Sequence, residues 1–277
     1  MKSFKLYIIG LIASITGITE SYAQQNVDHE QAPSRSDSIE VSKKDEYKPI
    51  NFGVKLKTMH LWRGFRVNDA TMSATTLNYT SKNGKLEAGF WGGYSFNGFY
   101  TEFDSYITYS SDGFTASIWD INNFTNYGTD YYDTNSDFFD YSRRSSRFVE
   151  ATLAYQLQNS NFPLSISWTT ILLGRDYFVD AEGNDEGRYS TYIEASLPVF
   201  KDATGGELSV GIGGAFAMNN LSGETGHFYG SKPNLVNTYL TYSRSISLSD
   251  YELPISAMAM YNPELKIGGL AFSVILF

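Results

Sequence analysis

From residue 50 onward, apolar and polar side chains alternate with a period of two residues. Phe103 and Ile107, for example, fall on one face of the chain, whereas Glu102 and Asp104 fall on the other. Successive side chains of a β-strand point to opposite faces, so this alternation predicts strands. No sustained period of 3.6 residues, which would indicate a helix, follows residue 50. The clearest alternating segments are 52–58, 86–95, 99–109, 149–157, 164–172, 192–197, 208–216 and 236–243.

Further segments with weaker alternation raise the expected number of strands to about twelve. These segments lie at 70–80, 113–121, 252–262 and 265–277. Each strand with its connection then takes about 19 residues. That length accommodates the ~9–11 residues of a tilted strand that crosses an outer membrane. In the last segment of clear alternation, Val236 is expected on the same outward face as Leu240.

The connections between the expected strands alternate in length. Short turns lie near 81–84, 110–113 and 159–161. Long segments lie at 122–145, 173–188 and 219–234. Short periplasmic turns and long extracellular loops are typical of outer-membrane barrels. We therefore expect an all-β chain that forms a transmembrane, antiparallel, up-and-down β-barrel of about twelve strands, with the long segments outside the cell.

Aromatic residues make up 16% of the chain, and many lie near the ends of the expected strands. Such rings form girdles where an outer-membrane barrel meets the two membrane–water boundaries. The aromatics assigned to the girdles are Trp62, Tyr79, Phe99, Tyr109, Phe114, Tyr155, Tyr192, Tyr242 and Tyr261. The alternative is a secreted β-sandwich with these rings in its core. The polar faces, mostly Ser, Thr, Gly, Asn and Tyr, suit a hydrated lumen better than a solvated exterior.

Both ends of the sequence agree with export to the bacterial outer membrane of a Gram-negative cell. Residues 1–23 have the basic start, the 13-residue apolar run and the small residues Ser21 and Ala23 of a signal peptide. The alternative, an uncleaved anchor, needs ~20 apolar residues. We expect cleavage after Ala23, a flexible periplasmic segment over 24–49 and the barrel over 50–277. Terminal Phe277 resembles the signal by which the barrel-assembly machinery recognises its substrates.

Charge and cysteine content exclude several classes of function. The net charge of −9 gives no basic footprint for nucleic acid. The absence of cysteine excludes disulfide scaffolds, thiolate metal sites, cysteine nucleophiles and a lipoprotein anchor. No phosphate-binding loop or metalloprotease helix is present, and no cofactor is expected. The expected partners are outer-membrane lipid and lipopolysaccharide, the barrel-assembly machinery and small polar solutes.

A family resemblance adds to this interpretation. The stretch GVKLKTMHLWRGFRVND at 53–69 resembles the first strand and loop of the TorF-like family of outer-membrane porins, with Trp62-Arg63-Gly64 matching an aromatic-Arg-Gly element. The segments at 90–98 and 101–117 resemble the next hairpin of that family. The resemblance covers the first third of the barrel. It implies passive transport across the outer membrane and supplies no catalytic residues.

If the large apolar residues face lipid, a set of mostly charged side chains faces the lumen. The expected pore-lining residues are Lys55, Lys57, Glu87, Glu102, Asp104, Tyr106, Glu150, Glu194 and Asn237. Five acids against two lysines predict a mild preference for cations or tolerance of neutral polar solutes. The inward aromatics, which would narrow the pore and could stack against sugars or nucleosides, are Trp91, Tyr100, Tyr106, Tyr192 and Tyr239. The alternative is that the charges pair across a filled interior and brace it.

Enzymatic and metal-binding alternatives have weaker support. An outer-membrane lipid hydrolase needs a base beside a nucleophile, but His60 lacks the neighbouring Ser-Asn of outer-membrane phospholipases. We expect a solvated or girdle-level His60 and no enzymatic activity. The acidic stretches at 133–137 and 180–184 lack the glycine and glutamate that an EF-hand needs. Arg143, Arg144 and Arg147 are expected to pair with loop acids or with lipopolysaccharide phosphates.

The sequence therefore predicts a porin-like channel for passive diffusion of small polar solutes, with the segment 122–145 controlling access. The second hypothesis is a structural barrel that uses its Tyr- and Asp-rich loops as a binding surface. The third hypothesis is the lipid hydrolase.

Overall fold

The computed structural model describes residues 47–124, 138–158, 162–219, 225–249 and 251–277. The expected signal peptide, and all but the last three residues of the expected periplasmic segment, lie outside the described residues. Residues 125–137, most of the segment expected to control access, lie outside them as well. Within the described part of the chain, no helix is long and apolar enough to span a membrane.

The described residues form sixteen β-strands. In chain order they are β1 (Ile50–Lys57), β2 (His60–Trp62), β3 (Phe65–Asn68), β4 (Met72–Thr80), β5 (Leu86–Ser95), β6 (Thr101–Ser111), β7 (Phe114–Asn122), β8 (Arg147–Gln156), β9 (Ser165–Gly174), β10 (Tyr177–Val179), β11 (Asp185–Gly187), β12 (Ser190–Lys201), β13 (Glu207–Ala217), β14 (Asn234–Leu248), β15 (Tyr251–Asn262) and β16 (Ile267–Ile275).

Twelve of these strands form a closed barrel in which β1 pairs with both β4 and β16. Neighbours along the chain are neighbours around the barrel, and every pairing is antiparallel. The remaining four strands form two hairpins, β2–β3 and β10–β11, inserted between barrel strands. The prediction of an antiparallel, up-and-down barrel of about twelve strands is confirmed.

The two ends of the barrel differ in the length of their connections. One end, called the short-turn end, carries Ile50, Phe277 and the turns that follow β4, β6, β8, β12 and β14. The opposite loop end carries both inserted hairpins and the described parts of the predicted long segments at 122–145, 173–188 and 219–234. The strands that flank the three long segments all meet the same end of the barrel. The alternation of short and long connections in the sequence therefore corresponds to the two ends of the barrel.

The outer surface of the barrel is apolar. Large apolar side chains that the alternation placed outward are exposed there, including Phe52, Phe90, Phe103, Ile107, Leu153, Ile166, Ile212 and Leu240. The inner wall carries polar and charged side chains such as Lys57, Asp104 and Glu150, which are buried. A water-soluble barrel would reverse this order. The arrangement is the one required when hydrocarbon surrounds the barrel and every backbone group pairs within it.

Glycines of β13 make room for tyrosine rings inside the barrel. A Cβ at Gly211 would lie 2.0 Å from Cζ of Tyr239, and one at Gly213 would lie 2.1 Å from the hydroxyl oxygen of Tyr192. The two rings therefore lie against bare backbone, where any larger residue would displace them. Because the glycines carry no side chain, the two tyrosine rings lie along the inner wall and do not project across the lumen.

The expectation for Val236 is wrong. The pairing of β13 with β14 shifts between Gly213 and Gly214, so that Asn237 and Leu235 have partners and Val236 has none. A β-bulge of this kind breaks the strict alternation of faces. Val236 consequently turns inward and is buried against Tyr192, whereas Leu240 beyond the bulge is exposed on the outer surface.

Candidate functional site in the barrel lumen

The hairpin β2–β3 lies inside the barrel at its loop end. Trp62 pairs with Phe65, and the two residues between them, Arg63 and Gly64, both have positive φ. Two successive positive φ values define the tight turn that matches the twist of a hairpin. A Cβ at Gly64 would lie 2.0 Å from the carbonyl oxygen of Val236. Only glycine therefore allows the tip of the hairpin to approach the wall of the barrel this closely.

Arg63 attaches the tip of the hairpin to the opposite wall. Its Nη1 and Nη2 donate hydrogen bonds of 2.6 and 2.8 Å to the two carboxylate oxygens of Glu150 on β8. Nη1 also donates to the hydroxyl of Tyr229 at 2.9 Å, and Asn262 donates to the carbonyl of Gly64 at 3.3 Å. Both charged side chains are buried. A paired arginine–carboxylate fork is among the strongest side-chain contacts in proteins.

Aromatic rings pack around this ion pair at the loop end of the lumen. The Trp62 ring lies 5.8 Å from Tyr229 and 6.2 Å from both Phe148 and Phe228. Phe65 stacks on Tyr229 at 6.0 Å. The Arg63 guanidinium carbon lies 4.7 Å from the centroid of the Trp62 ring. The hairpin and the connection between β13 and β14 together narrow this end of the barrel.

A small hydrogen-bonded network holds the β13–β14 connection in place. The backbone N–H of Phe228 donates to the hydroxyl of Ser190 at 2.7 Å, and that hydroxyl donates to Asp176 at 2.7 Å. Burial raises the pKa of Asp176, although hydrogen bonds from Ser190 oppose the rise. Both ring nitrogens of His227 have partners within the same connection, Lys232 and Tyr229. These contacts fix Phe228 and Tyr229 against the hairpin.

A cavity of about 320 Å³ lies between the hairpin and the wall formed by β5 to β8. Three of the four tryptophans of the chain, Trp62, Trp91 and Trp119, line it. Its charged lining residues include the cations Arg63, Arg66 and Arg175 and the anions Glu102, Asp104 and Glu150. The cavity therefore combines aromatic faces with charges of both signs.

A row of small hydroxyl side chains crosses the inner wall next to this cavity. Thr108 pairs with Ser117, Ser117 with Thr152, and Thr152 with Thr169 on adjacent strands. All four are buried, and the hydroxyls of Thr152 and Thr169 lie 2.8 Å apart. Thr152 also lines the cavity. The row continues the polar surface of the cavity around the interior of the barrel.

The nine residues expected to line a pore all lie on the inner wall, in separate groups. Lys57, Asp104, Tyr106, Glu150, Glu194 and Asn237 are buried, and Lys55, Glu87 and Glu102 are half-buried. Among them, Glu102, Asp104 and Glu150 come together at the cavity.

Two of the other groups are hydrogen-bonded clusters. Tyr106 donates to Glu87 at 2.7 Å and stacks on Trp119 with the ring centroids 4.3 Å apart. In the second cluster Glu194 accepts hydrogen bonds from the hydroxyls of Tyr192 and Tyr239, and Asn237 donates to Tyr192 at 2.9 Å. Glu87 and Glu194 are therefore hydrogen-bonded to tyrosines along the inner wall.

Several residues were misplaced or missed by the sequence pattern. His60 is buried inside the barrel, 3.1 Å from Nζ of Lys57, so the expectation of a solvated or girdle-level histidine is wrong. Trp62, assigned to a girdle, packs inside as well, and Tyr192, assigned both to a girdle and to the inward aromatics, is buried inside. Arg63 was not among the residues expected to line the pore, although an Arg-Gly pair after an aromatic residue indicates a turn. Tyr229 carried no comparable signal.

Two of the three arginines expected to pair with acids do so at the loop end. Arg144 forms an ion pair with Asp185 at 3.0 Å, and Arg147 forms one with Asp120 at 3.0 Å. The Arg144 guanidinium holds the pKa of Asp185 below its ordinary value. Asp180 accepts hydrogen bonds from Asn184 and Glu182 of its own turn, which lower its pKa.

Metal binding finds no support in the part of the chain that is described. No cluster of His, Asp and Glu there is arranged to hold a metal ion. The acidic stretch at 133–137 lies outside the described residues.

A closed barrel with an apolar outer face and a polar, charged inner face defines the class of protein: it is a transmembrane β-barrel. The chain matches no family model, and a search of curated proteins finds no match. The resemblance of its first third to TorF-like porins therefore stays a resemblance.

Among solved structures, the chain is similar to OmpF of Salmonella typhi in complex with daunomycin, with 9% identity, a TM-score of 0.37 and coverage of 82% of this chain and 96% of that one. It is similar to the β domain of the Bordetella autotransporter Brka, with 11% identity, a TM-score of 0.32 and coverage of 82% and 98%. A third similar chain comes from work on in-meso crystallisation of membrane proteins, with 9% identity, a TM-score of 0.40 and coverage of 82% and 83%. Similarities at this level say nothing about function.

Proposed function

We propose that this protein is an outer-membrane channel for passive diffusion of small polar solutes, with the hairpin β2–β3 as its constriction. The observation that carries the proposal is the contrast between the two faces of the barrel. The outer face suits hydrocarbon, whereas the inner face carries a cavity and a row of hydroxyls that suit hydrated solutes. A barrel of twelve strands lies between side-chain-filled eight-stranded barrels and open sixteen-stranded porins.

We propose a second element for control of access, and the role expected of the segment 122–145 stays a prediction. Most of that segment lies outside the described residues. The hairpin β2–β3 occupies the lumen itself and is attached there through Arg63 and Glu150. We propose that movement of this hairpin sets the width of the channel.

The balanced charges of the lumen favour passage of neutral solutes and give the channel only a weak preference between cations and anions. The sequence count of five acids and two lysines predicted mild cation selectivity. Arg63, Arg66 and Arg175 at the cavity bring the cations to five as well. Charged rings act on ions over short distances, so balanced charge weakens selectivity. Mild cation preference stays a prediction, which the reversal potential under a salt gradient measures.

Planar-bilayer recording and liposome swelling test the channel. We expect conductance steps and swelling by small sugars from the native protein. A variant lacking residues 60–68 is expected to conduct several-fold more. The matched control shortens the β10–β11 hairpin at 180–184, which lies at the same end outside the cavity lining. If neither the native protein nor the variant conducts, the channel is excluded.

One observation favours the second candidate, a barrel that does not conduct. The aromatic rings around Trp62 and the ion pair of Arg63 occupy part of the lumen at the loop end. A permanently fixed hairpin would leave the exposed loops as the working surface. In that case the native protein shows no conductance, whereas removal of the hairpin opens the barrel. Absence of swelling by sugars, with intact folding, would support this alternative.

The prediction that the chain is not an enzyme rests on geometry as well as sequence. A lipid hydrolase directs its histidine toward the bilayer, whereas His60 faces the lumen between Trp91 and Tyr100. Release of fatty acid from phospholipid vesicles by the native protein, lost in His60→Ala, would contradict the prediction.

We also propose lipopolysaccharide as a neighbour of the loops and the barrel-assembly machinery as a partner through Phe277, which is exposed.

A further inference from the structure

We propose that the cavity beneath the hairpin is a binding site for a neutral sugar of one or two rings, the solute class of the proposed channel. The inference rests on the proposed function and deepens it. The cavity volume of about 320 Å³ lies at the lower end of the ~300–1,000 Å³ typical of small-molecule sites. The site therefore accommodates a small ring-shaped solute and excludes long oligomers.

Aromatic side chains supply the surface on which such a ring packs. Trp91 on β5 and Trp119 on β7 line the cavity from alternate strands, and Trp62 lines it from the hairpin. Trp119 is held in position by stacking on Tyr106. A sugar ring presents an apolar face of C–H groups, which buries well against a fixed aromatic plane.

Hydrogen-bonding groups lie between the tryptophans. Asp104 on β6 is the direct cross-strand partner of Trp91, and Glu102 on the same strand is bridged to Asn123. All four residues line the cavity. Carboxylates accept hydrogen bonds from hydroxyl groups, and the amide of Asn123 both donates and accepts. The wall thus places carboxylates beside an aromatic plane, where the hydroxyls at the edge of a stacked ring would point.

The mixture of charges selects against a charged solute. Arg66 and Arg175 line the same cavity as Glu102 and Asp104. A solute with a single charge is attracted by the two side chains of opposite charge and repelled by the two of like charge. A neutral polyol gains from both, because a hydroxyl donates to a carboxylate and accepts from a guanidinium. The lining therefore favours uncharged, polyhydroxylated solutes.

The positions of the four tryptophans make the proposal directly testable. Three line the cavity, whereas Trp168 lies on the outer surface of β9. Tryptophan emission of the detergent-solubilised barrel is expected to change saturably with D-glucose or maltose. Trp119→Leu is expected to weaken binding roughly tenfold, about 1.4 kcal/mol, and Glu102→Gln roughly fivefold. Trp168→Phe, the matched control, leaves the affinity unchanged.

Other outcomes would overturn the site. If neither sugar gives a saturable response in native protein or in Trp168→Phe, the cavity does not bind sugars. If glutamate, lysine or glycine competes as well as glucose, the lining selects charge or zwitterions and the sugar assignment is wrong. Circular dichroism and heat-modifiable gel mobility show whether Trp119→Leu folds, and Glu102→Gln preserves the test if it does not.

Failure of the channel and failure of the site give different results. Saturable glucose binding without liposome swelling would support the binding site and contradict the channel. Swelling by glucose without saturable binding would support the channel and contradict the binding site.

Discussion

Arg63 and Glu150 are separated by 87 residues in the chain, yet their side chains meet inside the barrel in a two-pronged ion pair with N–O distances of 2.6 and 2.8 Å. One belongs to the tip of an inserted hairpin and the other to the wall. Both are buried, so the pair is a desolvated polar attachment between the hairpin and the barrel. The state of the lumen at the loop end depends on this contact.

Removal of one partner of the ion pair should be costly. Arg63→Met leaves Glu150 buried without its cation, and we expect a loss of about 3–5 kcal/mol in the free energy of unfolding. The double variant Arg63→Met/Glu150→Met should lose less than the two single variants together, because no lone charge remains. Denaturant unfolding of the refolded barrel measures these values.

The matched control for this prediction is the exposed pair of Arg144 and Asp185. Arg144 is 67% exposed, so Arg144→Met should change the free energy of unfolding by about 0–1 kcal/mol. Equal losses in Arg63→Met and Arg144→Met would contradict the account of the buried pair.

The tyrosines of the inner wall depend on glycine beside them. Gly213→Ala places a Cβ 2.1 Å from the hydroxyl oxygen of Tyr192, and we expect a loss of about 1–3 kcal/mol from overpacking. Gly214→Ala is the control on the next position of the same strand, where the nearest atom lies 3.4 Å away. Denaturant unfolding should separate the two variants, and a greater loss in Gly214→Ala would refute the packing described for β13.

A lysine on the outer surface should destabilise the barrel more strongly the closer it lies to the middle of the membrane. Ile212→Lys lies in the middle of β13 and is expected to destabilise the barrel in lipid vesicles by about 2–4 kcal/mol. Leu248→Lys lies at the end of β14, at the short-turn end, and should cost about 0–1 kcal/mol. Both native side chains are exposed. Equal, small effects of the two substitutions would indicate that this surface does not contact lipid.

The turn between β12 and β13 should weaken in acid. Hydrogen bonds from the hydroxyls of Thr204 and Tyr242 and from the N–H of Gly206 hold the pKa of Asp202 below its ordinary value. Because the folded pKa is lowered, the contribution of Asp202 to stability is present above its ordinary pKa of ~4 and is lost as the pH falls below it. The protection of the Gly206 amide against hydrogen exchange should therefore fall in this range.

Asp202→Asn provides the comparison for the acid effect. Its amide oxygen still accepts hydrogen bonds but does not titrate in this range. The protection of Gly206 in this variant should be independent of pH below 4. The same decline in both proteins would show that another group causes it.

The faces of the barrel strands could be read from the sequence because they depend on local geometry. Successive side chains of a strand point to opposite sides, so the alternation of Phe103 and Ile107 with Asp104 already separates the outer surface from the lumen. The rule fails at Val236, because a β-bulge depends on how two strands pair and leaves no mark in the period of either strand alone.

The candidate site was only partly predictable. Glu102, Asp104 and Glu150 were assigned to the lumen, and the cavity brings them together. Trp62 and His60, which follow the first strand, were placed in a girdle or in solvent, because a loop that folds inward has the same local sequence character as one that extends outward. The inward course depends on contacts with Glu150 and Tyr229, and Tyr229 lies 166 residues from Arg63.

By itself the sequence determined the strand rhythm, the inner and outer faces and the alternation of short and long connections, since each follows from the chemistry of neighbouring residues. Only the tertiary structure decided that the hairpin β2–β3 enters the lumen and that a β-bulge turns Val236 inward. The physical reason is that both features depend on contacts between distant segments of the chain. A buried arginine is stable only where another part of the chain supplies its carboxylate.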